Sequence, residues 1–295
     1  MLQGHPFFVF HSQQSEEWFL ELYPMNHGLI FAVNSNDHMK VVLFAGGKGT
    51  RISEESHLKP KPMIEVGGKP ILWHIMKMYA TYGHREFIVC CGYKGYAIKE
   101  YFYHYFLHNS DMTIDLANND LTVHNSKSED FKVTLVDTGL ETMTAGRLKR
   151  VQKYIGNERF MLTYGDGVCD IDMATQLEYH EEKGKTCTMT IVQPGSRFGM
   201  IDLDQNNIVK EFAEKPKDDG TWINGGFFIC EPETFNYLPD NSDDIMWERH
   251  PLEKLTEAGE LAAYRHQGFW KCMDTLRDNM DLNAMWENNP KWKNW

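Results

Sequence analysis

From Met39 onward, short unbroken apolar runs take turns with longer amphipathic stretches. KVVLFA (40–45) is an apolar run closed by glycine and predicts a buried strand. ILWHIMKMYATYG (71–83) puts Ile71, Ile75, Met78 and Tyr82 on one helical face and stops at Gly83. EFIVCCGY (86–93) predicts a second strand, YAIKEYFYHYF (96–106) a helix, and FKVTLVDTG (131–139) a third strand. TAGRLKRVQKYIG (144–156) sets Leu148, Val151 and Ile155 on one side of a helix, with Thr144 as its expected N-cap. RFMLTYGDG (159–167) predicts a fourth strand, IDMATQLEYHEEKG (171–184) a helix, and KTCTMTIVQP (185–194) a fifth strand.

Alternation of this kind predicts an α/β fold: a Rossmann-like, mostly parallel sheet flanked by helices. Continuous apolar strands agree, because parallel strands are covered on both faces. After Pro194 the texture changes. FGMIDLDQNNIVKEF predicts a hairpin around Asn206-Asn207, WINGGFFIC another strand, and PLEKLTEAGE and LRDNMDLNAMW two helices. This half reads as a smaller α+β portion attached to the sheet. No internal repeat or flexible linker interrupts 39–295, so one compact domain is expected there.

Composition narrows the function classes. A hydrophobic content of 42% is ample for a core, and a formal charge of −12 argues against a nucleic-acid binder. No apolar run approaches the ~20 residues of a membrane helix. None of the six cysteines forms a C-x-x-C pair, and most lie in apolar runs; they read as reduced core residues of a cytoplasmic protein. Residues 1–38 contain no Lys or Arg, which fits neither a secretory signal nor a mitochondrial leader. They are read as an N-terminal extension of unknown role, either an added lobe or a stretch ahead of the native start at Met39.

Candidate chemistry clusters behind strand ends, where open parallel sheets bind ligands. FAGGKGTR (44–51) follows the first strand, with glycines that allow close backbone approach, free N–H groups, and cations beside them. Phosphate is the obvious guest. The pattern matches neither G-x-x-x-x-G-K-[ST] nor G-x-G-x-x-G, since Ile52 replaces the third glycine. It is a phosphate loop of another kind, or a tight turn. KPKPMIEVGGKP (59–70) sets Lys59, Lys61 and Lys69 each before a proline, which stiffens the backbone carrying them. Asp166, in TYGDG, and Asp274, in FWKCMDT, could hold Mg²⁺ or serve as turn and cap. Glu214 and Lys215, in EKPK, and Asn224 and Gly225, in NGGFF, are weaker candidates. Histidine spacing and the absence of G-x-S-x-G give triad hydrolysis no foothold.

In order, AGGKGTR, KPKPM, YGDG, EKP, NGGFF and MDT resemble the sugar-phosphate nucleotidylyltransferases, over nearly all of 39–295. GKPILWHIMKMY, CCGYKGYAIKEYF and TLVDTG…MTAGRLKR resemble the α-D-glucose-1-phosphate cytidylyltransferases among them. The resemblance implies transfer of the cytidylyl group of CTP to α-D-glucose 1-phosphate, giving CDP-glucose and pyrophosphate with Mg²⁺. It implies nucleotide contacts at Phe44, Ala45, Gly46, Gly47, Lys48, Gly49, Thr50, Arg51, Lys61, Thr142, Arg147 and Gly165. It places Arg51, Lys61 and Asp166 in catalysis, and Asp166 and Asp274 on the metal. Glu214, Lys215, Asn224 and Gly225 would meet the sugar phosphate. It also implies a homo-oligomer, as large as a hexamer. Two other readings stay open: an enzyme using UTP, dTTP or another sugar 1-phosphate, and a non-catalytic nucleotide-sugar sensor.

Overall fold

The computed structural model describes residues 38–49, 52, 59–194, 200–203, 209–213 and 221–295. The chain divides at Met39 into two units, Met1–His38 and Met39–Trp295; the fold below is that of the second. Seven strands make its main sheet: β1 Lys40–Ala45, β2 Glu86–Cys91, β3 Lys132–Asp137, β4 Phe160–Tyr164, β5 Cys187–Val192, β6 Ile223–Cys230 and β7 Leu261–His266. Their order across the sheet is β7-β5-β6-β4-β1-β2-β3. β6 runs antiparallel to β4 and β5, while the other pairings are parallel. The C-terminal half therefore supplies two strands to the same sheet, besides a hairpin of Met200–Leu203 and Val209–Ala213.

Among the described residues the α-helices are α1 Ile71–Ala80, α2 Gly95–His108, α3 Thr144–Ile155, α4 Met173–Lys183, α5 His250–Glu257 and α6 Leu276–Asn288. Strand geometry sends successive side chains to opposite faces. Val41, Leu43 and Ala45 of β1 pack in one cluster with Ile71 and Ile75 of α1, Met173 of α4 and Leu282 of α6. Val42 and Phe44 pack on the other side with Leu148 of α3 and Leu252 of α5. Both faces are buried, which is why β1 reads as an unbroken apolar run. Truncating Leu43 to Ala would cost about 2–5 kcal/mol by the usual cavity argument.

The chain steps outward from β1 to β2 and β3, then returns to lay β4 on the other side of β1. That reversal opens a crevice beyond the carboxyl ends of β1 and β4. The two ends are tied where Gly165 N–H donates to the Phe44 carbonyl at 3.0 Å.

One local expectation is revised, and two elements are additions to it. Thr144 is the first residue of α3 rather than its cap; Met143 holds the cap position, without a side-chain bond. The Thr144 hydroxyl instead donates to Glu248 Oε2 at 2.8 Å and accepts from Trp247 N–H at 2.7 Å. A hairpin of Ser110–Asp115 and Asp120–Ser126 was not anticipated. It turns through Asn119 at φ 52° and pairs Met112 with Val123 and Ile114 with Leu121. β7 was missed as well.

The C-terminal segment clasps the body. Helix α6 opens with a capping box between Thr275 and Asp278. Asn279 Nδ2 donates to the Glu65 carbonyl at 2.9 Å, and Gly67 N–H donates to Asn283 Oδ1 at 2.9 Å. Beyond α6, Trp292 Nε1–H donates to Nδ1 of the fully buried His74 at 3.4 Å. The other ring nitrogen of His74 lies 2.8 Å from the Val66 carbonyl, so Nε2 carries the proton and the ring is neutral. Burial pushes its pKa down to about 4, against the opposing pull of the carbonyls of Val66 and Lys69. The sign follows. On acidification the unfolded chain takes up a proton near pH 6.5 that the folded chain refuses until about 4, so stability falls across that window. The full loss is worth about 3 kcal/mol at 1.36 kcal/mol per pH unit. His74→Gln, which can keep a donor on Val66, should flatten the decline in urea midpoint between pH 6.5 and 4 relative to the wild type. Parallel declines in the two proteins would contradict this account.

Candidate active site

β1 delivers the chain into Gly46, Gly47 and Gly49 at the crevice. Beneath this loop lies Arg147 of α3, with 4% of its surface exposed. Its guanidinium donates to the carbonyls of Gly139 (2.8 Å), Gly46 (3.1 Å), Cys91 (3.3 Å) and Leu140 (3.4 Å) and to the Thr138 hydroxyl (2.7 Å). Burial lowers its pKa from the usual arginine value. A Cβ on Gly46 or Gly92 would fall 2.2 or 2.4 Å from Arg147 Nη1, so the cation itself dictates glycine at both positions. Arg147 thus clamps the glycine loop to the β2 and β3 ends, and its donors are engaged with protein. Thr142 is buried too, with its side chain against Gly139 and Gly146.

The three Lys-Pro lysines part company. Lys59 pairs with Glu65 at 2.5 Å on the surface, and Lys69 reaches Asn109 Oδ1 at 3.4 Å. Lys61 turns inward. Pro60, extended at φ −65° and ψ 147°, launches a single 3₁₀ turn over Lys61–Met63. From it the Lys61 ammonium reaches Asp166 Oδ2 at 2.5 Å and Asp274 Oδ1 at 2.6 Å. Asp166 follows β4, and Asp274 precedes α6. The Met273 N–H donates to the Asp166 carbonyl at 2.8 Å, which locks the two segments side by side. Burial alone would lower the Lys61 pKa; the attraction and hydrogen bonds of Asp166 and Asp274 outweigh it and hold the value above ordinary lysine.

These groups border a cavity of about 290 Å³. Its floor is Phe44, Ala45, Gly47 and Gly49; Lys61, Asp166 and Asp274 stand on one wall. Pro62, Thr144, Tyr164 and Gly165 complete it. A Cβ on Gly165 would meet the Phe44 carbonyl at 2.8 Å, so the β1–β4 junction is as close as glycine permits. Lys48 turns to an exposed ion pair with Glu141 at 2.8 Å. Asn224 Nδ2 donates to the Tyr164 hydroxyl at 3.1 Å, while the Gly225 carbonyl accepts from Trp270 Nε1–H at 2.8 Å. Thr50, Arg51, Glu214 and Lys215 lie outside the described residues. Among the described residues no group of three or more His, Cys, Asp or Glu is placed to hold a metal, and no helix is long and apolar enough to cross a membrane.

A glycine floor with N–H groups, one inward cation and two carboxylates suits a polyphosphate. The model of the nucleotidyl transferases matches residues 40–289. The chain belongs to the nucleotidyl transferase family. It is 52% identical to the glucose-1-phosphate cytidylyltransferases of Salmonella typhi and Salmonella typhimurium, over 87% of this chain and 100% of each relative. The crystal structure of HddC from Yersinia pseudotuberculosis shares the fold, with a TM-score of 0.62 and 24% identity over 84% of this chain and 99% of that one. In this transferase, Pro62, Thr144 and Tyr164 are the lining residues that sequence reasoning missed. Tyr164 is the last residue of β4, directly before the glycine pair around Asp166. Thr144 was hidden by its cap-like position ahead of a helix.

Proposed function

We propose that this transferase moves the cytidylyl group of CTP onto α-D-glucose 1-phosphate, releasing pyrophosphate. The observation that carries the reading is the Lys61 ammonium set between Asp166 and Asp274 at the edge of the glycine floor, in a chain half identical to cytidylyltransferases over their full length. A phosphate oxygen of the sugar attacks the α-phosphorus; that P–O bond forms as the bond to the β-phosphate oxygen breaks. The nucleophile is already anionic near neutral pH, since the second phosphate pKa is ~6, so no general base is needed. The difficulty is charge. The N–H groups of Gly47 and Gly49 face the triphosphate, Arg147 keeps their loop in place, and Lys61 meets the charge that develops at phosphorus. Arg51 would contribute a second cation, and Glu214, Lys215, Asn224 and Gly225 would hold the sugar phosphate.

Asp166 and Asp274 present hard oxygen donors already organised around one cation, which fits Mg²⁺ sharing its shell with substrate phosphates. When bound, Mg²⁺ would neutralise phosphate charge. The free cysteines, five of them buried, support a reducing, cytoplasmic setting. We also propose that copies of the chain self-associate. Helix α2 exposes Tyr96 (76%), Tyr103 (82%) and Phe106 (45%) at helical spacing, and the 110–126 hairpin exposes Ile114, Leu116, Leu121 and Val123. At ~200 Å² per aromatic ring and somewhat less per aliphatic side chain, this apolar area approaches the ~800 Å² that one partner gives to a standard interface.

Three measurements test these statements. Pyrophosphate release is expected with glucose 1-phosphate and Mg²⁺, fastest with CTP among CTP, UTP, dTTP, GTP and ATP; a preference for UTP or dTTP would sink the cytidylyl assignment, and no release at all would leave a sensor. Lys61→Ala should cut kcat about a hundredfold or more, yet bind free Mn²⁺ more tightly than wild type in nucleotide-free titrations followed by electron paramagnetic resonance. Removing the ammonium leaves two carboxylates in want of a cation; weaker Mn²⁺ binding by the variant would show that they do not form the metal site. Sedimentation velocity at micromolar concentration should show an oligomer, and Tyr103→Asp should shift it towards monomer. A monomeric wild type would remove the self-association proposal.

A further inference from the structure

A distorted stretch of backbone near the site lies in β6. Opposite β5, Ile223 pairs with Val192 and Asn224 with Ile191, but Gly226 pairs with Thr190 and Phe228 with Met189. Gly225 and Phe227 are therefore extra residues, two bulges in one strand. Gly226 sits at φ +80°, and Phe227, which has a side chain, sits at φ +48°. A buried phenylalanine in the left-handed region is strained, and such strain persists only when the surroundings over-determine it. Bulges beside a site re-aim the side chains next to them. Here they carry β6 away from β4, whose pairing ends at Phe228 opposite Leu162. The departure leaves room for Tyr164 and turns Asn224 towards its hydroxyl.

What holds the strain is a buried polar group on α4. Gln176 is 2% exposed. Its Nε2 donates to the Phe227 carbonyl at 2.6 Å and to Thr190 Oγ1 at 2.8 Å. The Thr190 hydroxyl donates to the same Phe227 carbonyl at 3.0 Å. On the other side of that residue, Phe227 N–H donates to Thr163 Oγ1 at 3.4 Å. From Phe227 the connection to the cavity is short: Gly226 N–H donates to Asn224 Oδ1 at 2.8 Å, and Asn224 Nδ2 donates to the cavity-lining Tyr164 hydroxyl at 3.1 Å.

We propose that Gln176, with Thr190, is a positioning residue for the sugar-phosphate side of the site, acting through the carbonyl of Phe227 to hold the bulge that aims Asn224 and Gly225. The proposal rests on the reading that Asn224 and Gly225 meet the sugar phosphate. Gln176 is not among the residues that line the cavity. Its amide fixes the strand from behind, so its loss should reach one substrate and spare the other, because the glycine floor and Lys61 hang on β1 and the 59–63 loop instead.

Steady-state kinetics of the full-length Gln176→Leu and Thr190→Val enzymes, with melting temperatures measured alongside, test this. Leucine keeps the bulk of glutamine and valine the shape of threonine, and both remove the hydrogen bonds. The KM for glucose 1-phosphate should rise roughly tenfold or more, with the KM for CTP within about twofold of wild type. The double variant should be little worse than the poorer single variant, because the two residues act on one carbonyl. Should Gln176→Leu fail to fold, Thr190→Val alone carries the comparison. An unchanged KM for the sugar phosphate, or parallel changes in both KM values tracking lost thermal stability, would overturn the proposal and leave a structural brace. A wild type that ignores glucose 1-phosphate but accepts another sugar phosphate would overturn the substrate assignment, and the same split is then read with that substrate.

Discussion

Two carboxylates in a half-enclosed wall demand a cation between them. Asp166 and Asp274 come from distant parts of the chain, and the Lys61 ammonium is what lets both point into one space. Each alternative is costly: separated carboxylates would open the crevice, and an unpaired buried ammonium would lose its proton or its burial. The arrangement also explains the stiffness of the loop that carries Lys61. Prolines on both sides and a single 3₁₀ turn leave the lysine few places to go, so little order remains to be imposed when a substrate arrives.

Arg147 solves a neighbouring problem differently. Among the described residues no carboxylate lies at hydrogen-bonding distance of it; four carbonyls and a hydroxyl accept from its terminal nitrogens. Neutral acceptors satisfy a guanidinium without cancelling its charge. The glycine floor therefore lies over a fixed positive centre. A protein with a net charge of −12 can in this way keep a locally favourable field for a polyanion.

The strands that the sequence pattern exposed most clearly are those buried on both faces, such as β1, β2 and β4, because burial on both sides writes a continuous apolar run. β7, LAAYRH at the sheet edge, is half exposed and alanine-rich, so neither a run nor a clean alternation marks it. The 110–126 hairpin does carry alternation, at Met112, Ile114, Leu121 and Val123, but among so many polar residues that no strand stands out. Residue type singled out the glycine loop and both aspartates as candidates, and the fold brings them to one cavity. Which of Lys59, Lys61 and Lys69 turns inward was not visible locally, since the decision is made by an aspartate 213 positions away. Arg147 announced a cation but not that it would face backbone. Gln176 was silent altogether: a glutamine on an amphipathic helix looks solvated until the strand behind it is known.

The clasp formed by the C-terminal segment bears on how the molecule comes into being. Its ties to the body link positions more than two hundred residues apart: Asp274 to Lys61, Asn283 to Gly67, and Trp292 to His74. During synthesis on the ribosome, β1 to β4 emerge early and can pair through comparatively local contacts. The wall of the cavity cannot close until Asp274 has emerged as well. Until then Asp166 and Lys61 lack their third partner, and the apolar face of α1 waits for Trp286 and Trp292. A chain ending before Asp274 would possess all seven strands of the main sheet and no finished site. Long-range closure of this kind is slow, and it makes the docking of this segment the step at which a folded scaffold becomes a catalyst.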